Sequence, residues 1–205
     1  MSENIPLGGG AVPPLRPPGV PEHFPDAKTA VIIHHWDADG ISSAAMVKKH
    51  LQSRCDTVYS MPPTLGNFFM EERELDYIKS LDPDLVIVVD ICMAKDRVLE
   101  MKERLETNLW IFDHHRIDPI VEICHVNPIA YGHDGKCWPS ASFIISRWLR
   151  REDDVLTFLG VAGDWEERAT NLQNIFPQME RALARHNLAF PDLQRFVSLL
   201  SLIHI

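Results

Sequence analysis

The run Leu85–Val89, LVIVV, is apolar at every position and ends on Asp90. A strand with one wet face alternates apolar and polar side chains. An unbroken β-branched run instead suits a sheet covered on both faces, the usual condition of a parallel sheet. Two further stretches, VIIHHWDAD (Val31–Asp39) and LWIFDHH (Leu109–His115), are also apolar runs that finish in carboxylates and imidazoles. TVYSM and VEICHV read as additional strands, and helical patterns separate these runs: ISSAAMVKKHLQ, EERELDYIKSL and AKDRVLEMKERLE. Later, Ala141, Ile144, Ile145, Trp148 and Leu149 share one helical stripe, as do Leu193, Phe196, Val197 and Leu200. Strands alternating with helices predict an α/β fold built on a mostly parallel sheet.

The chain's 205 residues favour a single domain. Residues 1–28 are rich in Pro and Gly without an apolar period, which predicts a flexible lead-in. Residues 29–199 contain no composition break and are expected to form one domain. No apolar run reaches the roughly 18–20 residues of a membrane span, and the N-terminus lacks the layout of a secretory signal. Cys55, Cys92, Cys124 and Cys137 form no CxxC pair, so reduced thiols and a cytoplasmic location are expected.

In open parallel sheets, ligands bind beyond the carboxyl ends of the strands. A parallel sheet would therefore gather His34, His35, Asp37, Asp39, Asp90, Asp113, His114 and His115 on one rim. Asp164, closing the apolar segment VLTFLGVAGD, is a further candidate, with Gly160 and Gly163 allowing close backbone approach. Each acid alone has an ordinary explanation; Asp39 and Asp113 are each placed to serve as a helix N-cap. Together the acids would raise one another's pKa strongly unless compensated, and divalent cations are the natural compensation. Carboxylate and imidazole ligands without thiolate suit Mn²⁺ or Mg²⁺ better than structural zinc. Several acids sharing one site suggest two metals about 3.5–4 Å apart, as in phosphoester hydrolysis. The net charge of −9 argues against a surface built to grip long duplex DNA and leaves a small anionic substrate open. Cys124, His125, His133 and Cys137 fit no common zinc spacing and are assigned to structure or loop chemistry.

HWDADG, VVDIC, FDHHR and VAGDW resemble, in order, the four motifs of the DHH phosphoesterase superfamily, over roughly residues 29–170. That superfamily includes RecJ-type single-strand exonucleases, oligoribonucleases, cyclic-dinucleotide phosphodiesterases and family II inorganic pyrophosphatases. The resemblance implies a doubly wound parallel sheet with helices on both faces, and hydrolysis at a two-metal site usually filled by Mn²⁺. It makes His35 and Asp37 ligands of one metal, Asp39 a ligand of the other and Asp90 the bridging carboxylate. His114 and Asp164 complete the second metal, Asp113 orients the site, and His115 faces the substrate phosphate as hydrogen-bond donor or proton shuttle. Water bridging the metals is then the nucleophile. His35 stands two positions before Asp37, as in the RecJ-like and archaeal-type branch; small-substrate branches place a histidine four positions before, where this chain has Ile33. His34 remains unassigned. Ser140 and Ser142 lie where the family often brings small residues and a helix N-terminus toward substrate, with an N-cap as the alternative for Ser140.

The resemblance thus implies a metal-dependent phosphodiesterase or exonuclease-like hydrolase acting on single-stranded or short nucleic acids. A small phosphorylated molecule, such as a cyclic dinucleotide or pyrophosphate, is the alternative substrate; a non-catalytic scaffold of the same fold is a third reading, disfavoured because every ligand position is filled. Family members carry a C-terminal substrate-binding domain. Nothing after Asp164 resembles it, so residues 171–199 are expected to be the tail of the first domain. Residues 200–205, LSLIHI, match the in-frame read-through of a transposon-end adapter and are expected to be a non-native tail. Oligomeric state is not legible in the sequence.

Overall fold

The computed structural model describes residues 21–151 and 154–203. The β-branched runs form strands β1 (Thr29–His34), β2 (Thr57–Met61), β3 (Leu85–Val89), β4 (Asn108–Phe112) and β5 (Cys124–Val126). Helices α1 (Ala38–Leu51), α2 (Glu72–Ser80) and α3 (Lys95–Leu105) connect the first four strands. After β5 come α4 (Ala141–Trp148), α5 (Val155–Trp165), α6 (Phe176–Ala184) and α7 (Phe190–Ile203). Among the described residues the strands make one sheet in the order β2-β1-β3-β4-β5, with every pairing parallel. No helix there is long and apolar enough to cross a membrane.

Side chains alternate across a strand, so each apolar run feeds two cores. Ala30, Ile32, Ile87, Val89, Trp110 and Phe112 point to one face, where Met46, Phe143, Phe158 and Val161 from α1, α4 and α5 cover them. Val31, Ile33, Val86, Val88 and Ile111 point to the other, under Leu75 and Ile78 of α2 and Val98 and Met101 of α3. The sheet is therefore doubly wound with helices on both faces. Met179, Ala182 and Leu183 of α6 and Leu193 of α7 join the first core. From β1 the chain crosses outward to β2, then returns past β1 to β3. The direction of winding reverses between β1 and β3, and the carboxyl ends of those two strands flank a crevice.

Two differences from the sequence reading lie at the ends. The lead-in expected over residues 1–28 falls outside the described residues up to position 20, but its last part is ordered into the core. Phe24 is 6% exposed, its ring centroid 4.5 Å from that of Trp148 and 5.0 Å from that of Trp110. The Trp148 indole N–H donates to the Pro21 carbonyl at 3.2 Å. An isolated aromatic in a Pro-rich stretch has no period to betray it, yet it fills a gap between α4 and the sheet. At the other end α7 runs on to Ile203, so no helix boundary marks position 200; residues 204 and 205 of the expected tail lie outside the described residues.

Phe24→Ala is expected to destabilise the protein by about 3–5 kcal/mol, the usual cost of emptying a buried aromatic site. Denaturant unfolding measures it, and a loss below about 0.5 kcal/mol would mean that the segment behaves as the loose lead-in its composition suggests.

Candidate metal centre

The crevice between β1 and β3 is lined by the residues that end the strands. The parallel ladder holds each of them. His35 N–H donates to the Val89 carbonyl at 3.3 Å, Asp90 N–H to Phe112 at 2.9 Å and Asp113 N–H to Val126 at 3.2 Å. Asp90 then turns out of its strand at φ 60°, a left-handed conformation that Asp tolerates better than most residues.

Beyond β1 the chain enters α1 earlier than the pattern ISSAAMVKK suggests. Asp37, not Asp39, is the N-cap: its Oδ1 accepts from Gly40 N–H at 2.9 Å. Gly40 is not a turn residue but part of the first helical turn. A Cβ there would run into the His35 carbonyl, so only glycine lets α1 pack onto the end of β1. Asp39 is thereby carried inward and is 0% exposed. Its Oδ2 accepts from Ala141 N–H at 2.6 Å and its Oδ1 from Ser142 N–H at 2.9 Å, so the N-terminus of α4 grips a carboxylate of the chain itself.

That grip bears on Ser140 and Ser142, expected toward substrate with an N-cap as the alternative for Ser140. Both are fully buried. Ser140 is the N-cap of α4, its Oγ accepting from Phe143 N–H at 3.1 Å, and the two hydroxyls are 2.8 Å apart. Ser142 Oγ also donates to the Thr157 carbonyl at 3.0 Å, which leaves neither serine to meet a substrate. Gly160 of α5 backs this arrangement, since a Cβ there would overlap Ser142 Oγ and Asp39 Oδ1.

Around the crevice the remaining groups come together. His35 Nδ1 lies 2.7 Å from Asp37 Oδ2 and 3.7 Å from Asp90 Oδ2. His114 Nε2 lies 3.1 Å from Asp164 Oδ2, 3.3 Å from Asp90 Oδ1 and 3.9 Å from Asp39 Oδ2. Asp164 reaches this cluster from the last turn of α5 rather than from a strand. Among the described residues three sets of potential ligand atoms result, each within 4.8 Å of one another: His35, Asp37 and Asp90; Asp39, His114 and Asp164; and Asp90, His114 and His115. Asp90 belongs to two of these sets, as does His114. His35 Nε2 and Asp90 Oδ2 are buried without a hydrogen-bond partner, the condition expected of ligand atoms.

The electrostatics follow from this crowding. Burial, reinforced by the charge of Asp164, pushes Asp39 up to about 7. Burial and the charge of Asp39 drive Asp90 well above the usual carboxylate range. Burial alone would strip the proton from His114, but hydrogen bonds to Asp164 and Asp90 and the charge of Asp39 push its pKa up to about 12. Burial also works against Asp37, yet the His35 hydrogen bond and the Gly40 amide hold it below the ordinary value. Acids this close recruit positive charge, and a divalent cation supplies more of it than an imidazolium.

Asp113 and His115 form a separate pair beside the cluster. Asp113 is 1% exposed, and its Oδ1 lies 2.7 Å from His115 Nδ1. That hydrogen bond raises the His115 pKa and leaves Nε2 as the other ring nitrogen. Asn127, which the sequence reading missed, holds the pair: its Nδ2 donates to Asp113 Oδ2 at 3.3 Å and to the His115 carbonyl at 2.9 Å. Its Oδ1 accepts from Ile129 and Ala130, so the same side chain starts the short 3₁₀ turn Pro128–Tyr131. The Asn-Pro pair in the sequence signals that turn, though not its second task. His34 turns aside, its Nδ1 2.7 Å from the His35 carbonyl. His125 is buried, its Nδ1 accepting from Ile120 N–H at 3.2 Å.

The cluster floors a cleft of about 880 Å³. Its walls carry His115, Arg116, His133, Lys136 and Arg168, with Phe68 and Trp165 among the aromatic lining. A second hollow of about 690 Å³ shares Arg116, Ile129 and His133 with the first.

Solved structures that the chain resembles in fold include two of RecJ. The crystal structure of exonuclease RecJ bound to manganese superposes with a TM-score of 0.56 at 18% identity, over 78% of this chain and 44% of that one. RecJ from Thermus thermophilus in complex with Mn²⁺ gives a TM-score of 0.50 at 15% identity, over 87% of this chain and 35% of that one. The chain thus spans less than half the length of either. No curated protein sequence matches it. Residues 28–160 match the description "DHH family, N-terminal domain", and with the four motifs on one crevice the chain belongs to the DHH family.

Proposed function

We propose that the chain is a divalent-metal-dependent phosphoesterase, with two cations at the β1/β3 crevice and phosphodiester bonds of single-stranded or short nucleic acids as substrate. The observation that carries this reading is the shared use of Asp90 and His114 by adjacent ligand sets, which suits two neighbouring cations better than one. His35, Asp37 and Asp90 would hold the first, and Asp39, His114 and Asp164, with Asp90 between, the second. Mn²⁺ or Mg²⁺ fits this oxygen-and-imidazole donor set, and the RecJ structures of similar fold hold manganese. Two such ions supply charge stabilisation at phosphoryl oxygens and bring the pKa of water toward neutrality.

The chain's own residues do the rest. His115, 45% exposed and oriented by Asp113, whose hydrogen bond favours the protonated ring, would donate Nε2–H to a phosphoryl or leaving oxygen. Arg116, Lys136 and Arg168 give the cleft a basic rim within a chain of net charge −9, so anion binding concentrates at the site. A small phosphorylated substrate, such as a cyclic dinucleotide or pyrophosphate, is the second reading. The cleft volume favours it, falling inside the range of ordinary small-ligand pockets.

With Mn²⁺ the chain is expected to hydrolyse at least one member of a panel of single-stranded DNA, single-stranded RNA, dinucleotides, cyclic dinucleotides and pyrophosphate. Chelator or Asp90→Ala should lower the rate by two orders of magnitude or more. Metal-independent hydrolysis, or an Asp90→Ala rate within a few-fold of wild type, would contradict the proposal.

Stability should report the same charges. Asp39 and Asp90 have raised folded-state pKa values, so their contribution is fully present below about pH 4 and is lost with rising pH, through about 7 for Asp39. The raised His114 pKa acts in the same direction above about pH 6.5. In chelator the melting temperature should fall between pH 4.5 and 8, and Asp39→Asn should flatten the slope. Saturating Mn²⁺ should raise it at pH 8, since one bound ion adds about 2.7 kcal/mol of stability at one hundred times Kd. A pH-independent melt unmoved by millimolar Mn²⁺ would count against the centre.

A further inference from the structure

The loop between β2 and α2 places Phe68 on the cleft wall beside His35 and Asp37. Its side chain is 53% exposed, although apolar groups of this size normally seek cover. It is nonetheless held in place. The ring stacks on His35, centroids 5.6 Å apart and planes within 20°, and packs against Trp36 at 5.4 Å. Trp36 in turn lies 4.2 Å from the His35 ring. The loop itself is pinned by Glu74, whose Oε1 accepts from Thr64 N–H at 2.9 Å and Thr64 Oγ1 at 2.7 Å, and by Asn67 Nδ2 donating to Glu71 at 2.9 Å. A supported aromatic with over half its surface in solvent is a shelf for a flat apolar group.

The other cleft residues narrow what that group is. Arg116, Lys136 and Arg168 provide cationic partners for phosphate, and the acid cluster supplies the reacting position. A ligand with a flat aromatic part joined to phosphate by a short flexible link meets both demands, and nucleotides have that chemistry. Pyrophosphate offers phosphate alone and would leave the shelf uncovered. We propose that Phe68, backed by Trp36, is the stacking platform for the nucleobase next to the scissile phosphate, which makes the substrate a base-bearing phosphodiester. This rests on the phosphoesterase reading of the same cleft and assigns the residue that would recognise the base. Stacking of a base on an aromatic side chain tolerates any base, so Phe68 selects for a nucleotide without selecting its sequence.

The test compares binding and turnover in the full chain with Mn²⁺ present. Diadenylate, an otherwise identical abasic dinucleotide analogue and inorganic pyrophosphate are titrated into wild type, Phe68→Ala and Phe68→Trp. Calorimetry and quenching of tryptophan fluorescence report binding, and hydrolysis is followed separately. Phe68→Ala should weaken diadenylate binding about ten-fold or more and leave the abasic analogue within two-fold. Phe68→Trp should retain diadenylate affinity, and the abasic analogue controls for the ring's lost contacts with His35 and Trp36. Equal effects of Phe68→Ala on both ligands, diadenylate affinity unchanged by it, or no diadenylate binding at all would each overturn the platform. Base-dependent binding without hydrolysis would uphold the platform and refute the phosphoesterase reading; hydrolysis of all substrates without base dependence would do the reverse.

Discussion

Asp39, Asp90 and Asp164 meet within a few ångströms of the His114 imidazole, largely out of water, and the surrounding structure is arranged to bear that cost. Burying one ionised carboxylate without compensation is expensive, and burying several together multiplies the penalty. The all-parallel sheet creates the problem by bringing the carboxyl ends of β1, β3 and β4 to one rim. It also provides the means of holding the groups still, because each strand-end residue keeps a backbone bond to the neighbouring strand. Asp90 accepts a left-handed backbone, and Asp39 is clasped by two amides at the start of α4. Such devices hold the carboxylates in place, so a cation bound there would require little reorganisation.

The same constraint explains the packing of α1, α4 and α5. Asp39 sits where those three helices converge, and Gly160 permits the approach because any side chain would occupy the space of the Asp39 carboxylate. A buried charged group and a close helix contact are here one feature. The doubly wound sheet thus carries chemistry as well as shape, since the reversal of winding between β1 and β3 opens the crevice that the acids floor.

Much of this was legible in the sequence. LVIVV, almost wholly β-branched, and LWIF, aromatic and apolar throughout, read as buried strands, and their terminal acids placed the rim. The convergence of His35, Asp37, Asp90 and His114 follows from parallel topology, whereas Asp164 arrives from the last turn of α5. What remained hidden depended on partners far away in the chain. Asp37 and Asp39 are equally good caps by residue type, and only the packing of Gly40 on His35 selects Asp37. Ser140 and Ser142 stand at a helix N-terminus that looks ready for phosphate, but the anion it receives is Asp39, from 102 residues upstream of Ala141. Asn127, Phe24 and Phe68 lie in stretches without period, where one side chain's task is set entirely by three-dimensional neighbours.

The central claim is that this acid cluster is a site for two adjacent cations sharing Asp90. Diffraction measured at the manganese absorption edge from crystals of the Mn²⁺-loaded chain tests it most directly. Two anomalous peaks about 3.5–4 Å apart, on either side of the Asp90 carboxylate, are the predicted result. A single peak, or peaks located away from Asp90, would contradict it.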